Sequence, residues 1–220
     1  SRSSDQMHLL TPLERRSLYV SANYDLVDNV RFVTDLQYSK RSSDRQIAGY
    51  PLQSGAYDDL NLSADSLYSP NGGATDVEWR RRGWEVPRTT NTDLTTWRFT
   101  AALEGSFEIG DRYFNWDAGA LYNENDVSII NNGNFYVPAV RNAVGPSFVN
   151  GAGQAVCGTP DAVIDGCVPW NPFAGFGTGA VANSLDDEAV RNYLFREEHA
   201  TGNTTTHNYF ANIAGTIVPL

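Results

Sequence analysis

The residues best suited to chemistry in this 220-residue chain are three histidines, two cysteines and a run of arginines. His8, His199 and His207 show no metal-ligand spacing, and no Gly-x-Ser-x-Gly elbow offers a nucleophile. The sequence therefore predicts no catalytic residue, no metal site and no cofactor. Cys157 and Cys167 enclose nine residues, including Pro160 and Gly166. An even pair at this distance reads as a disulfide in an exported protein, with two free thiols or a metal pair as the alternatives. Arg80, Arg81 and Arg82 stand between Trp79 and Trp84. Such a cluster would hold an anionic ligand through charge-assisted bonds, or else pair with acids such as Asp58, Asp59 and Asp65. Tyr136, Trp170 and Phe173 would stack on a planar ligand ring, or anchor a long loop upon itself. Gly175-Phe176-Gly177-Thr178-Gly179 lacks the preceding buried strand and the spacing of a dinucleotide-binding turn, so it reads as flexible loop. Asp161 and Asp165 lack the alternating acids of a calcium loop and read as a turn.

The elements that must position these residues are strands. Leu18, Val20, Ala22, Tyr24 and Leu26 share one parity, and Ser17, Tyr19, Ser21, Asn23 and Asp25 the other. After the turn at Val27-Asp28-Asn29, Val30, Phe32, Thr34, Leu36 and Tyr38 form an apolar row opposite Arg31, Asp35, Gln37 and Ser39, which makes a hairpin. A second hairpin turns at Ile109-Gly110-Asp111-Arg112. It alternates Trp97, Phe99, Ala101, Leu103 and Phe107 on the way in, and Phe114, Trp116, Ala118, Ala120 and Tyr122 on the way out. A fifth strand runs through Tyr209, Ala211, Ile213, Gly215 and Ile217, opposite Asn208, Asn212 and Thr216. Two long loops, 42–92 and 125–206, interrupt the pattern at roughly 50 and roughly 80 residues, where about 4–6 is usual. The second should carry one short helix, with Ser184 and Asp187 arranged as in a capping box before Leu185, Ala189 and Tyr193.

Composition narrows the class. Apolar residues make up 41% and aromatics 12%, too rich for a disordered chain, while charged residues at 19% fall below the usual quarter. The net charge of -10 excludes a nucleic-acid partner, because a phosphate-tracking surface needs surplus cations. Lys40 is the one lysine among sixteen basic residues. No apolar run is long enough for a transmembrane helix, which leaves peripheral association or a β-barrel as the routes to a membrane. Trp97 and Phe107 lie ten residues apart. At about 3.3 Å per residue and a tilt of about 45°, their rings are roughly 23 Å apart in height, close to the apolar band of an outer-membrane barrel. This predicts an all-β fold, a section of antiparallel transmembrane β-barrel. Phe99, Ala101, Leu103, Phe107, Phe114, Trp116, Ala118 and Ala120 should then face lipid. A secreted soluble β-sandwich serving as a binding or adhesion module is the competing expectation, since its inner faces also alternate.

Specific stretches add to this pattern. Pro12-Leu13-Glu14-Arg15-Arg16-Ser17-Leu18-Tyr19, then Asn23-Tyr24-Asp25-Leu26 and Asp28-Asn29-Val30, resemble the barrel of TonB-dependent outer-membrane receptors. Glu78-Trp79-Arg80-Arg81-Arg82 before Thr96-Trp97-Arg98-Phe99, with Gly105 and Phe107, is similar to a loop-to-strand passage of the same family. So is Cys157 with Gly166-Cys167-Val168-Pro169-Trp170-Asn171-Pro172-Phe173. The resemblance implies residence in the bacterial outer membrane and a barrel of about 22 strands with an N-terminal plug. It implies import of an iron-siderophore, oligosaccharide or vitamin with energy relayed by TonB, and contact with membrane lipid and lipopolysaccharide. Loop residues Trp79, Arg80, Arg81, Arg82, Trp84, Tyr136, Trp170 and Phe173 become the candidates for holding that nutrient. About five strands, no plug and an opening Ser-Arg-Ser-Ser lead to the expectation that residues 1–220 are an internal section of such a barrel. The remainder of the barrel and the plug would then be its first partners.

One expectation is directly measurable. Non-reduced peptides spanning Cys157 and Cys167 should weigh two hydrogens less than reduced ones by mass spectrometry. Quantitative alkylation of both thiols without reductant would contradict the bond.

Overall fold

A computed structural model describes residues 2–177 and 181–215. Thr178 and Gly179 of the glycine-rich loop, and Thr216 and Ile217 of the closing strand, lie outside the described residues. The fold is all-β with two short helices. In chain order the elements are β1 (Leu13–Val27), β2 (Val30–Ile47), β3 (Pro51–Gln53), β4 (Arg80–Arg82), β5 (Arg88–Ile109), β6 (Arg112–Phe135), α1 (Val137–Val144), β7 (Ser147–Val149), β8 (Ala155–Thr159), β9 (Ala162–Val163), α2 (Glu188–Leu194) and β10 (Phe195–Gly215). Strands β1-β2-β5-β6-β10 form one open sheet in that order, β3 pairs with β4, and β7-β8-β9 form a small third sheet.

The two expected hairpins are present. β1 and β2 are antiparallel with Leu18 opposite Tyr38, Val20 opposite Leu36 and Tyr24 opposite Phe32, so the two apolar rows share one face. A register shift between Asp25 and Val27 marks a bulge beside the turn. Between β5 and β6, Gly110 takes a positive φ of 59° at the first central position of a two-residue turn, the place where a hairpin of this kind demands glycine.

The strands reach further than side-chain alternation indicates. The connections are 48–87 and 136–194, shorter than the expected loops 42–92 and 125–206. Beyond Tyr38, Trp97 and Tyr122 both faces of the strands are mainly polar, so the backbone ladder continues without the period-two contrast that marks it in the sequence. The helices also differ from expectation. Asp187, not Ser184, caps α2, accepting the Ala189 amide at 2.9 Å. Ser184 is buried instead, and its hydroxyl accepts the Asp186 amide at 3.1 Å. An unforeseen helix, α1, begins with a proline in its first turn and buries Ala139, Val140, Ala143 and Val144.

The chain divides into two compact units. One, the loop unit, comprises Ser1–Thr11, Arg45–Thr90 and Ile130–Glu198; the other, the sheet unit, comprises Pro12–Asp44, Asn91–Ile129 and His199–Leu220. Among the described residues, all of the buried apolar side chains belong to the loop unit, where Leu52, Leu60, Leu62, Trp79, Val140, Val144, Trp170, Leu185, Val190 and Leu194 make one core. Trp79 meets Trp170 edge-on at 5.0 Å, and Phe135 bridges Trp170 at 5.5 Å to Phe195 at 4.4 Å. Cys157 and Cys167 form a disulfide across the β7-β8-β9 sheet region. Two glycines of this unit differ in what surrounds them. A Cβ on Gly49 would overlap the Gly83 carbonyl, whereas one on Gly55 would meet only the Glu78 side chain at ordinary contact, 3.6 Å. Gly49→Ala is therefore expected to cost about 1–3 kcal/mol and Gly55→Ala less than about 0.5 kcal/mol, read by urea unfolding followed through tryptophan fluorescence. Equal costs at the two positions would contradict this packing.

Candidate functional site

The sheet unit has one chemically divided surface. On one face Leu18, Val20, Tyr24, Trp97, Phe99, Leu103, Phe107, Tyr209 and Ile213 are exposed large apolar side chains, Tyr209 at 78% and Tyr24 at 70%. Half-buried Ala101, Phe114, Trp116, Ala118 and Ala120 fill the spaces between them. No described residue of this unit is buried, so no second layer covers the sheet within it. Aromatic pairs close the band at both ends. Near the turns Phe107 stacks on Phe114 at 5.4 Å, and Trp116 lies so close over Gly105 that a Cβ there would come within 2.7 Å of its ring. At the other end Tyr38 packs on Trp97 at 4.6 Å and Tyr122 on His207 at 5.3 Å. Past this second set the same face turns polar. Asn203 donates to Glu124 at 3.0 Å and to Asp126 at 2.6 Å, and the Ser42 hydroxyl donates to Asp93.

The opposite face is mainly polar and carries its own hydrogen bonds. Tyr19 donates to Asp35 at 2.7 Å, Arg31 pairs with Asp25 at 2.7 Å, Thr96 donates to Asn125 at 2.8 Å and Asn212 to Asp117 at 2.8 Å. Its apolar members include Val33, Leu94, Leu121, Val127 and Phe210, the last lying across Gly119, where a Cβ would come within 2.8 Å of the ring. All eight residues expected to meet lipid, Phe99, Ala101, Leu103, Phe107, Phe114, Trp116, Ala118 and Ala120, are unburied members of this unit, and the ring contacts put Phe107, Phe114 and Trp116 on one side.

The loop unit separates the candidate ligand-holding residues into struts and surface groups. Trp79 and Trp170 are not surface groups. They are core, with the Trp79 indole donating to the Leu60 carbonyl at 2.8 Å. A long loop with an apolar interior needs large anchors, and these two rings supply them. Arg81 is also withdrawn from solvent, paired with Glu85 one helical-turn spacing on and donating to the Arg82 carbonyl at 2.6 Å. Asp58, Asp59 and Asp65 do not pair with this cluster among the described residues. Arg80 is exposed on β4, Phe173 is exposed, and Tyr136 stands under the Arg196 guanidinium at 5.9 Å.

Arg82 and Trp84 begin a different constellation. The Arg82 guanidinium lies 5.3 Å from the Trp84 ring centre and donates to the Gly49 carbonyl at 3.0 Å. Phe176 is 6.4 Å from Trp84, its ring exposed. Arg88 repeats the motif, 5.3 Å from the Tyr50 ring and bonded to the Ala48 carbonyl at 3.0 Å. Burial pulls the Arg88 pKa below the usual arginine value, and the charges of Arg82 and Arg45 lower it further. Among the described residues no carboxylate lies within ion-pair distance of Arg45, Arg82 or Arg88. Guanidiniums stacked on rings and bonded only to carbonyls keep charge available for an anionic or planar ligand. Sequence reasoning missed Arg45, Arg88, Tyr50 and Phe176. Tyr50 sits far from the arginine run, Arg88 lies six residues past it with no pattern to link the two, and Phe176 is hidden among glycines.

No group of three or more His, Cys, Asp or Glu is placed to hold a metal among the described residues, and none of their helices is long and apolar enough to cross a membrane. No family model, no curated protein and no solved structure matches the chain.

The buried Arg81–Glu85 pair makes a prediction of its own. Its Arg81 Nε and Glu85 Oε2 atoms are buried without hydrogen-bond partners, which weakens the return on desolvating two charges. Arg81→Met or Glu85→Leu alone should cost about 3–5 kcal/mol by stranding the other charge, and the double change much less. A double-mutant cycle in urea showing additive losses would contradict this.

Proposed function

We propose that this chain is a section of the β-barrel of an outer-membrane nutrient receptor of the TonB-dependent kind, as its motifs resemble. The observation that carries the reading is the uncovered apolar band of the sheet unit. It is one side chain deep, edged by aromatic pairs at both ends and followed on the same face by acids and amides. That sequence of surfaces suits hydrocarbon, interface and headgroup in turn. The other face, with its ladder of polar bonds, suits a water-filled lumen.

Two further features support it. β1 and β10 are long open edges, 15 and 21 residues, which neighbouring strands of a larger barrel would pair. A secreted β-sandwich would bury one sheet face against a second sheet, and no described residue of the sheet unit is buried. The loop unit supplies capture. Its Arg82–Trp84–Phe176 and Arg88–Tyr50 stacks would hold a nutrient such as an iron-siderophore, an oligosaccharide or a vitamin, which the barrel imports with TonB-coupled energy. The chain acts by binding and transport, with no enzymatic step.

The test is a pair of substitutions in the complete receptor in lipid. Leu103→Arg, near the middle of the band, is expected to destabilise the barrel by about 2–4 kcal/mol, and Ala102→Arg, facing the lumen, far less. Equal tolerance, or the larger loss at Ala102, would contradict the assignment.

A further inference from the structure

We infer that Arg16 and Lys40 form a binding site for the phosphate of an anionic lipid headgroup, on the apolar side of the sheet and just past its aromatic edge. The inference rests on the membrane reading above and adds a partner and a place to it.

Arg16 and Lys40 are direct register partners on β1 and β2, so their side chains leave the same face side by side. That face is the apolar one. The next pair along it is Leu18 opposite Tyr38, and Tyr38 packs on Trp97. Two residues of strand put the cations about 7 Å beyond the ring pair, the level at which headgroup phosphates follow acyl chains. Both residues are exposed, and Lys40 is the one lysine of the chain.

Like charges placed opposite each other in a sheet repel, and only one of these is compensated. Glu14 takes both Nε and Nη2 of Arg16, at 2.6 and 2.5 Å, while Lys40 has no carboxylate within ion-pair distance among the described residues. Glu14, Arg16, Lys40 and Ser42 line a shallow cleft of about 120 Å³. Farther along the same face beyond the aromatic edge stand Asp44 on β2, Asp93, which accepts from the cleft residue Ser42, and Glu124 and Asp126. An anion approaching this strip is therefore repelled along β5 and β6 and attracted only where Arg16 and Lys40 stand side by side. A phosphomonoester satisfies both cations at once, accepting a guanidinium fork and an ammonium point charge. Free phosphate offers the same oxygens. The position beside Tyr38 and Trp97 selects a phosphate that carries acyl chains.

The test uses the complete receptor in mild detergent, titrated with phosphatidic acid and, separately, with phosphatidylcholine and inorganic phosphate, bound lipid being counted by native mass spectrometry. Phosphatidic acid should bind the wild type in preference to phosphatidylcholine. Lys40→Gln should weaken it about fivefold, and Arg16→Gln less, because Glu14 already offsets that charge. Glu14→Gln should tighten it. Arg15→Gln and Arg41→Gln, one register position away on the opposite face, should leave it unchanged. Undiminished binding in Lys40→Gln, or equal loss in the Arg15 and Arg41 variants, overturns the site. Full competition by equimolar inorganic phosphate overturns the lipid as its ligand. Failure of the wild type to enter phosphatidylcholine vesicles at all overturns the membrane reading instead.

Discussion

A sheet one layer thick cannot leave a continuous apolar face in water. Each fully uncovered Leu, Phe or Val side chain forgoes about 1.5–3 kcal/mol of transfer free energy, and a handful of them equals the whole stability of an ordinary domain. The sheet unit sets Leu18, Val20, Tyr24, Phe99, Leu103, Phe107, Tyr209 and Ile213 on its surface with nothing packed over them. The constraint explains several other features. Polar groups on the reverse face bond to one another across strands, small alanines occupy the middle of the band, and rings lie across Gly105, Gly119 and Gly215, where any Cβ would collide with them.

The loop unit solves the opposite problem. Its segments have little regular structure, so their order comes from a shared interior: Trp79 against Trp170, two short helices that bury Val140, Val144, Val190 and Leu194, and the Cys157–Cys167 bond. Closing a loop of this size stabilises by about 2–3 kcal/mol, a useful share for a unit so poor in strands. Rigidity of this kind makes exposed rings and guanidiniums effective binding groups, because ordering them costs little at the moment of binding.

Much of the sheet was legible in the sequence. Period-two contrast located the hairpins, the turn glycine and the face shared by Trp97 and Phe107, since a strand with one apolar and one polar face must alternate. Where the contrast stops, as past Tyr38 and Tyr122, the strands became invisible although the backbone ladder runs on. The candidate site was legible only in part. Spacing located the Trp79 to Trp84 run but not which members turn inward, because burial of Trp79 and Arg81 depends on Trp170 and Glu85, and Trp170 lies far off in sequence. Arg88 and Tyr50 meet through tertiary contact alone. Pro138 and the apolar spacing of Val137, Val140 and Val144 did announce α1, a signal overshadowed by the length of the surrounding loop.

The most direct measurement of the central claim is labelling of single cysteines placed at Ala101 and Ala102 in the protein reconstituted in lipid, using a thiol reagent dissolved in the acyl phase and a second confined to water. Adjacent residues on one strand point to opposite faces, so no difference in depth separates them. The account predicts that the lipid-phase reagent modifies position 101 and the aqueous reagent position 102. Equal labelling of both by either reagent, or the reverse assignment, would contradict it.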